Sequence, residues 1–154
     1  MFAEDNGRSP HQFVWTYGSE EKAVNTEIAE RIKEHEKGPD GNNRGIFQKR
    51  WADHDYHEEG VESISIVQNR NIGVLNEILS DNKDKDVVVV TYGTNLSTIF
   101  DFYDNSFGSE NFLRIIDWMP YIIELDFEGN ELVGKQEHCH VEKEFQGKQR
   151  ADKR

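Results

Sequence analysis

The sequence predicts an α/β fold, a three-layer sandwich around a mostly parallel sheet, and three observations predict it. Residues 87–90 are four consecutive valines without polar alternation, the pattern of a parallel strand covered on both faces. Gly93 and Asn95 follow at once, and Leu96, Ile99 and Phe100 open a helix. The strand therefore ends in a tight strand-to-helix turn, where open α/β sheets carry their ligands. Upstream, Phe13-Val14-Trp15-Thr16-Tyr17 and Gly18 repeat the order, with Ser19 as N-cap and Glu20 and Glu21 in the first helical turn.

The first helix runs to about Lys37, with Ala23, Val24, Ile28, Ala29 and Ile32 on its apolar side, and Gly38-Pro39-Asp40-Gly41 stops it. A short helix is expected over 46–56 from Phe47, Trp51 and Tyr56, leading into the acidic loop His57-Glu58-Glu59-Gly60. From Val61 the clearest helix of the chain begins: Ile64, Val67, Asn71, Val74 or Leu75, and Ile78 step by three and four. Ser63 stands just before this stripe as a cap, and Ser80-Asp81-Asn82 closes it. Residues 87–91 are the expected centre of the sheet. Phe107-Gly108-Ser109 starts another helix with Phe112, Ile115 and Ile116 as its stripe, and Trp118-Met119-Pro120 ends it. Glu128-Gly129-Asn130 is a turn signal between the runs 121–127 and 131–135, which predicts a hairpin at the sheet's edge. Residues 1–12 and 141–154 are polar and charged and read as flexible tails around one domain over 13–140.

The chain has 154 residues with 30 acidic against 18 basic, a net charge of -12. That balance argues against nucleic acid and anionic membranes as partners. The one cysteine, Cys139, forms no internal disulfide, and no signal peptide or membrane span is legible, so a cytoplasmic location is expected. His138-Cys139-His140 and the pair His54 and His57 lack the spacing of a zinc module, so neither metal nor cofactor is expected.

Several blocks together resemble a known family. They are Trp51-Ala52-Asp53-His54-Asp55-Tyr56, Gly60-Val61-Glu62-Ser63, Val67-Gln68-Asn69-Arg70-Asn71, the strand and turn over 87–98, and Asp117-Trp118-Met119-Pro120-Tyr121. They resemble the histidine phosphatase superfamily in its phosphoglycerate-mutase-like branch. The resemblance implies phosphoryl transfer by a nucleophilic histidine, with a second histidine and arginines holding the phosphate and a carboxylic acid protonating the leaving oxygen. Val61 replaces the second glycine of the branch's Gly-Gly-Glu-Ser motif, and Tyr92 stands where the second histidine belongs. Lys22-Ala23-Val24-Asn25-Thr26 lies on the Arg-Ala-x-x-Thr motif with Lys22 for the arginine, and Glu34 falls at the acidic proton donor. The Arg-His-Gly motif that supplies the nucleophile has no counterpart before Phe13, so the domain is expected to be incomplete at its first strand. A second alignment lays Thr16-Tyr17-Gly18 on that motif, and neither alignment places a histidine at a catalytic position.

A phenol, with a pKa of about 10, is no nucleophile near neutral pH and brings no positive charge to a phosphate. Lys22 keeps a point charge without the bidentate grip of arginine. Glu34 and Tyr92 are thus candidate catalytic positions, and Lys22, Glu62, Ser63, Thr91, Gly93 and Thr94 candidate ligand contacts. Each has a plainer reading: Tyr92 as a packed aromatic, Lys22 and Glu34 as solvated helix residues, Ser63 as a cap. The expected function is a degenerate, catalytically inactive domain that binds a phosphorylated small molecule weakly at most. Two alternatives stand beside it: a phosphomonoesterase or phosphomutase rebuilt around His11 or His35, and a non-catalytic interaction module. An exposed edge at residues 87–90 would invite self-association.

Overall fold

A computed structural model describes residues 14–16, 31, 44–115 and 118–142. Their elements run β1 (Val14–Thr16), α1 (Arg44–Ala52), α2 (Ile64–Asp81), β2 (Val87–Val89), α3 (Gly93–Tyr103), α4 (Ser109–Ile115), β3 (Trp118–Glu128) and β4 (Glu131–Glu142). Of the helix expected before residue 38, only Arg31 is described; it is helical and pairs with Glu77 on α2 at 2.6 Å.

The long helix forms where the three-four periodicity expects it. Ser63 caps α2, its side chain accepting from the Ile66 N–H at 3.3 Å, and Asn82 closes the other end by donating from backbone and side chain to the Ile78 carbonyl. The helix buries Ile64, Val67, Ile72, Val74 and Ile78, each contributing about 1.5–3 kcal/mol through removal from water. Two clusters divide this stripe. Near its start, Ile64 meets Phe47, Trp51 and Phe112, with Phe107 and Leu113 against them. The Phe47 and Phe112 rings meet edge-on at 5.0 Å, and Trp51 lies 5.5 Å from Phe112. Further along, Val74 and Ile78 pack on Val87 of β2.

Helix α1 is shorter than the aromatic spacing predicts. It stops at Ala52, before Tyr56, because Asp53 turns the chain: its carboxylate accepts from the Asp55 N–H at 3.1 Å and its carbonyl from the Tyr56 N–H at 3.0 Å. Gly60 then adopts φ +74°, a left-handed conformation that glycine takes without a Cβ penalty.

The strands depart most from expectation. β1 pairs with β2 antiparallel, Val14 opposite Val89 and Thr16 opposite Val87, and β3 pairs with β4 antiparallel in a separate sheet. Among the described residues no pair is parallel, so the expected three-layer parallel arrangement is not what these strands form. Nor are the valines covered on both faces: Val87 reaches the core, but Val88, Val89 and Val90 are 51%, 37% and 41% exposed. A valine run records a preference for strand and for burial, and holds no information on how many neighbours supply the cover. The hairpin, expected at the edge of that sheet over 121–135, is instead its own two-stranded sheet and extends to Trp118 and Glu142. Trp118 and Pro120 begin β3, where the sequence suggested the end of a helix. Gly129, at φ +62°, makes the turn.

Tyr103 joins this hairpin to the body. Its ring meets Phe127 edge-on at 5.6 Å and its hydroxyl donates to the Asn130 carbonyl at 3.1 Å, while burial holds the phenol above its ordinary pKa. Lys135 adds a cation over the Phe100 ring at 5.4 Å.

A buried ion pair fixes the loop between α1 and α2. Arg50, 3% exposed, donates to one Glu58 carboxylate oxygen from two nitrogens, at 3.1 and 2.9 Å. Burial pushes the Glu58 pKa up, but the Arg50 hydrogen bond, the residue's own backbone amide and the charges of Arg50 and Lys49 outweigh it, and the net direction is down. A depressed carboxylate contributes stability above its unfolded pKa and loses it as the pH falls through the folded one. Glu58→Ala is therefore expected to lower the unfolding free energy by about 3 kcal/mol at neutral pH, measured by denaturant melts. The gap between variant and wild type should close as the pH drops below 4.5, the ordinary value for this group.

Candidate functional site

The turn over 91–94 carries the chain from β2 into α3, and a seam of buried polar groups holds it. Asn71 of α2 donates to the Thr98 hydroxyl at 2.9 Å and to the Asn95 carbonyl at 3.4 Å. Thr98 in turn donates to that carbonyl at 2.7 Å, and Asn95 donates to the Thr91 hydroxyl at 3.2 Å. Ser97 donates to the Gly93 carbonyl at 2.7 Å. Asn71, Asn95, Ser97 and Thr98 are all buried. The donors of the seam are bonded, while the Asn71 Oδ1 is buried without a hydrogen-bond partner among the described residues; the bonds made tie Thr91 and Gly93 to α3, and α3 to α2 at Asn71.

Tyr92 occupies the N-cap position of α3 with extended backbone, φ −85° and ψ 158°, and its side chain makes no capping bond. Its carbonyl accepts from the Leu96 N–H at 3.0 Å. Tyr92, Gly93 and Thr94 are half-buried. The partial positive charge of a helix N-terminus lies at this turn.

Glu62 and Ser63 are engaged elsewhere. Glu62 accepts from Arg70 at 3.2 Å, in a pair that is largely buried on both sides. The Ser63 hydroxyl accepts from Ile66, and the neighbouring Ser65 N–H donates to the His54 carbonyl at 2.9 Å. In the first turn of α2 the N–H groups of Ser65, Ile66 and Val67 are thus taken by protein groups. The first turns of α3 are hydrogen-bonded to α2 at Asn71, about 12 Å along the helix axis from Ser63 at 1.5 Å per residue. Seam and cap anchor two separate levels of α2. Lys22 and Glu34, and the histidines at 11 and 35, lie outside the described residues.

Sequence reasoning did not single out Gln68, Arg70, Asn71, Asn95 or Asp101 as parts of a site. Gln68 donates to Asp101 at 2.7 Å and to the Thr98 carbonyl at 3.1 Å, and His54 Nδ1 stands 3.6 Å from the same Asp101 oxygen. One signal was available: Asn71 falls on the apolar stripe of α2, where a polar residue needs a buried partner.

The remaining histidines have separate places: His57 Nδ1 lies 3.1 Å from the Glu58 carbonyl. His138 meets Glu124 at 2.6 Å, and His140 stacks on Trp118 at 4.0 Å. Cys139 is a free, exposed thiol. Among the described residues no three metal-ligating side chains converge, and no helix is long and apolar enough to cross a membrane.

The sequence model of the histidine phosphatase superfamily (branch 1) matches residues 17–115, well over half of the chain. The chain belongs to that superfamily, whose fold is α/β. No curated protein and no solved structure matches it.

Replacing Ser63 by alanine is expected to cost about 1 kcal/mol of stability, whereas Ser63→Asp, another effective cap, should retain it. Denaturant melts of the two variants measure the difference, and equal losses would mean that Ser63 does something other than cap α2.

Proposed function

We propose that this chain is a degenerate histidine phosphatase domain that performs no phosphoryl transfer and binds a phosphorylated small molecule weakly at most. Tyr92 carries the reading: it occupies the strand-to-helix turn at which the resemblance places the second catalytic histidine. A phenol there donates one hydrogen bond to a phosphate oxygen but supplies neither a nucleophile nor a charge. The N-terminus of α3 attracts an anion, and the net charge of -12 opposes it. The proposed contacts are Tyr92, Thr91, Gly93 and Thr94, together with Lys22, and Glu34 stands at the acid's position; Glu62, held by Arg70, and Ser63, the cap of α2, drop out of the contact set. No metal or cofactor enters, and the location proposed is the cytoplasm.

Purified protein is expected to give no turnover of p-nitrophenyl phosphate from mildly acidic to mildly alkaline pH. Activity that survives a second purification and falls in Tyr92→Phe would overturn the reading in favour of a rebuilt phosphomonoesterase or phosphomutase. If the pocket persists, Tyr92→His combined with Lys22→Arg should raise the melting temperature in inorganic phosphate above that of wild type in the same buffer.

The exposure of Val88, Val89 and Val90 favours a second reading, a non-catalytic interaction module. Open, apolar strand edges add strands from other chains. Under this reading phosphorylated compounds leave the melting temperature unchanged, and Val89→Lys abolishes association measured by light scattering.

A further inference from the structure

The hairpin leaves a second open edge, with a more specific pattern than the valines. In the two-stranded sheet, the outer side of β4 has no neighbour among the described residues, and every residue from Lys135 to Glu142 is exposed. A lone hairpin is marginal in water, and its unpaired N–H and C=O groups are a template for another strand.

The register of β4 against β3 limits what can pair there. Cys139 lies opposite Ile122 and Glu137 opposite Ile123, so His138 is an extra residue on β4. Gly134 lies opposite Asp126 and Leu132 opposite Phe127, so Val133 is another. Between these two bulges, residues 134–137 keep a regular alternation of inward and outward backbone groups.

We infer that this edge pairs with the same edge of a second copy of the chain, antiparallel and centred on Gln136. In an antiparallel ladder, opposed residues must both direct their backbone groups toward each other or both away. Two identical regular runs therefore meet only in registers centred on a residue, never between two. Centring on Gln136 sets Lys135, whose amine also lies over the Phe100 ring, opposite Glu137 of the second copy, which also accepts from the Tyr121 hydroxyl at 2.8 Å, and by symmetry does so twice. Moving the centre one residue earlier sets Lys135 against Lys135, and one residue later sets Glu137 against Glu137. Cross-strand neighbours lie close enough for unlike charges to attract and like charges to repel, so one register is selected. The valines of β2 offer no such selection, since valine faces valine in each register. The bulges keep the paired stretch short, and the association is reversible.

Sedimentation velocity over a concentration series, in about 0.15 M salt to shorten the reach of the net charge, is expected to show a monomer and a dimer in equilibrium. Lys135→Glu and Glu137→Lys should each raise the dissociation constant about tenfold, because each turns two attractive pairs into two repulsive ones. Both substitutions in one chain exchange the signs and restore the dimer. An equal mixture of the two single variants forms a mixed dimer, which also shows that both variants fold. A monomer at every concentration overturns the inference. So does a dimer indifferent to both charge changes, and one that Val89→Lys alone dissolves belongs to the β2 edge instead.

Discussion

The seam between α2 and α3 is the constraint on which the described structure depends. Asn71, Asn95, Ser97 and Thr98 are polar, buried and hydrogen-bonded across or along the two helices. Helices joined by apolar contact alone can settle in more than one register, since the gain from burial carries no direction. A bonded amide tolerates much less, because a slip strands a donor or acceptor away from water at about 1–3 kcal/mol per group. The seam thus converts the general attraction of two amphipathic helices into one relative placement. The turn over 91–94 inherits that placement through the Asn95 bond to Thr91.

This division explains why a site can lose its chemistry and keep its frame. The groups that position the turn are amides and hydroxyls on the helices, whereas the group that would perform the chemistry projects from the cap itself. Tyr92 makes no side-chain capping bond, so a cap from this residue is not what starts α3. Under the proposed reading stability and activity rest on different residues of this turn, so one can be lost with little cost to the other.

The sequence made α2 and its ends plain, because a stripe at helical spacing, a serine before it and an asparagine after it all carry local energies. It also made the turn after the valines plain. It could not tell how those valines are covered, since burial is set by elements distant in the chain. The length of the hairpin was hidden for a related reason: residues 135–142 are mostly charged or polar, and their strand is held by pairing with β3 rather than by apolar alternation. Of the candidate site residues, Ser63 was legible as a cap. The pairing of Glu62 with Arg70 was not, because a residue before the cap and one eight positions on, inside the helix, give no sequence signature. Asn71 was visible as an anomaly on an apolar stripe, without any indication of what it bonds.

The two edges of the hairpin are chemically unlike, and the difference bears on how far a sheet built from it could extend. Along β3, Glu124, Asp126 and Glu128 line one exposed face, and Pro120 lacks an N–H to offer a neighbour. A second β3 laid alongside would bring acids against acids. The hairpin is in effect one-sided: a partner that covers β4 leaves behind an edge that resists further addition. Such a sheet terminates after one event, which separates a closed pair from an open fibre.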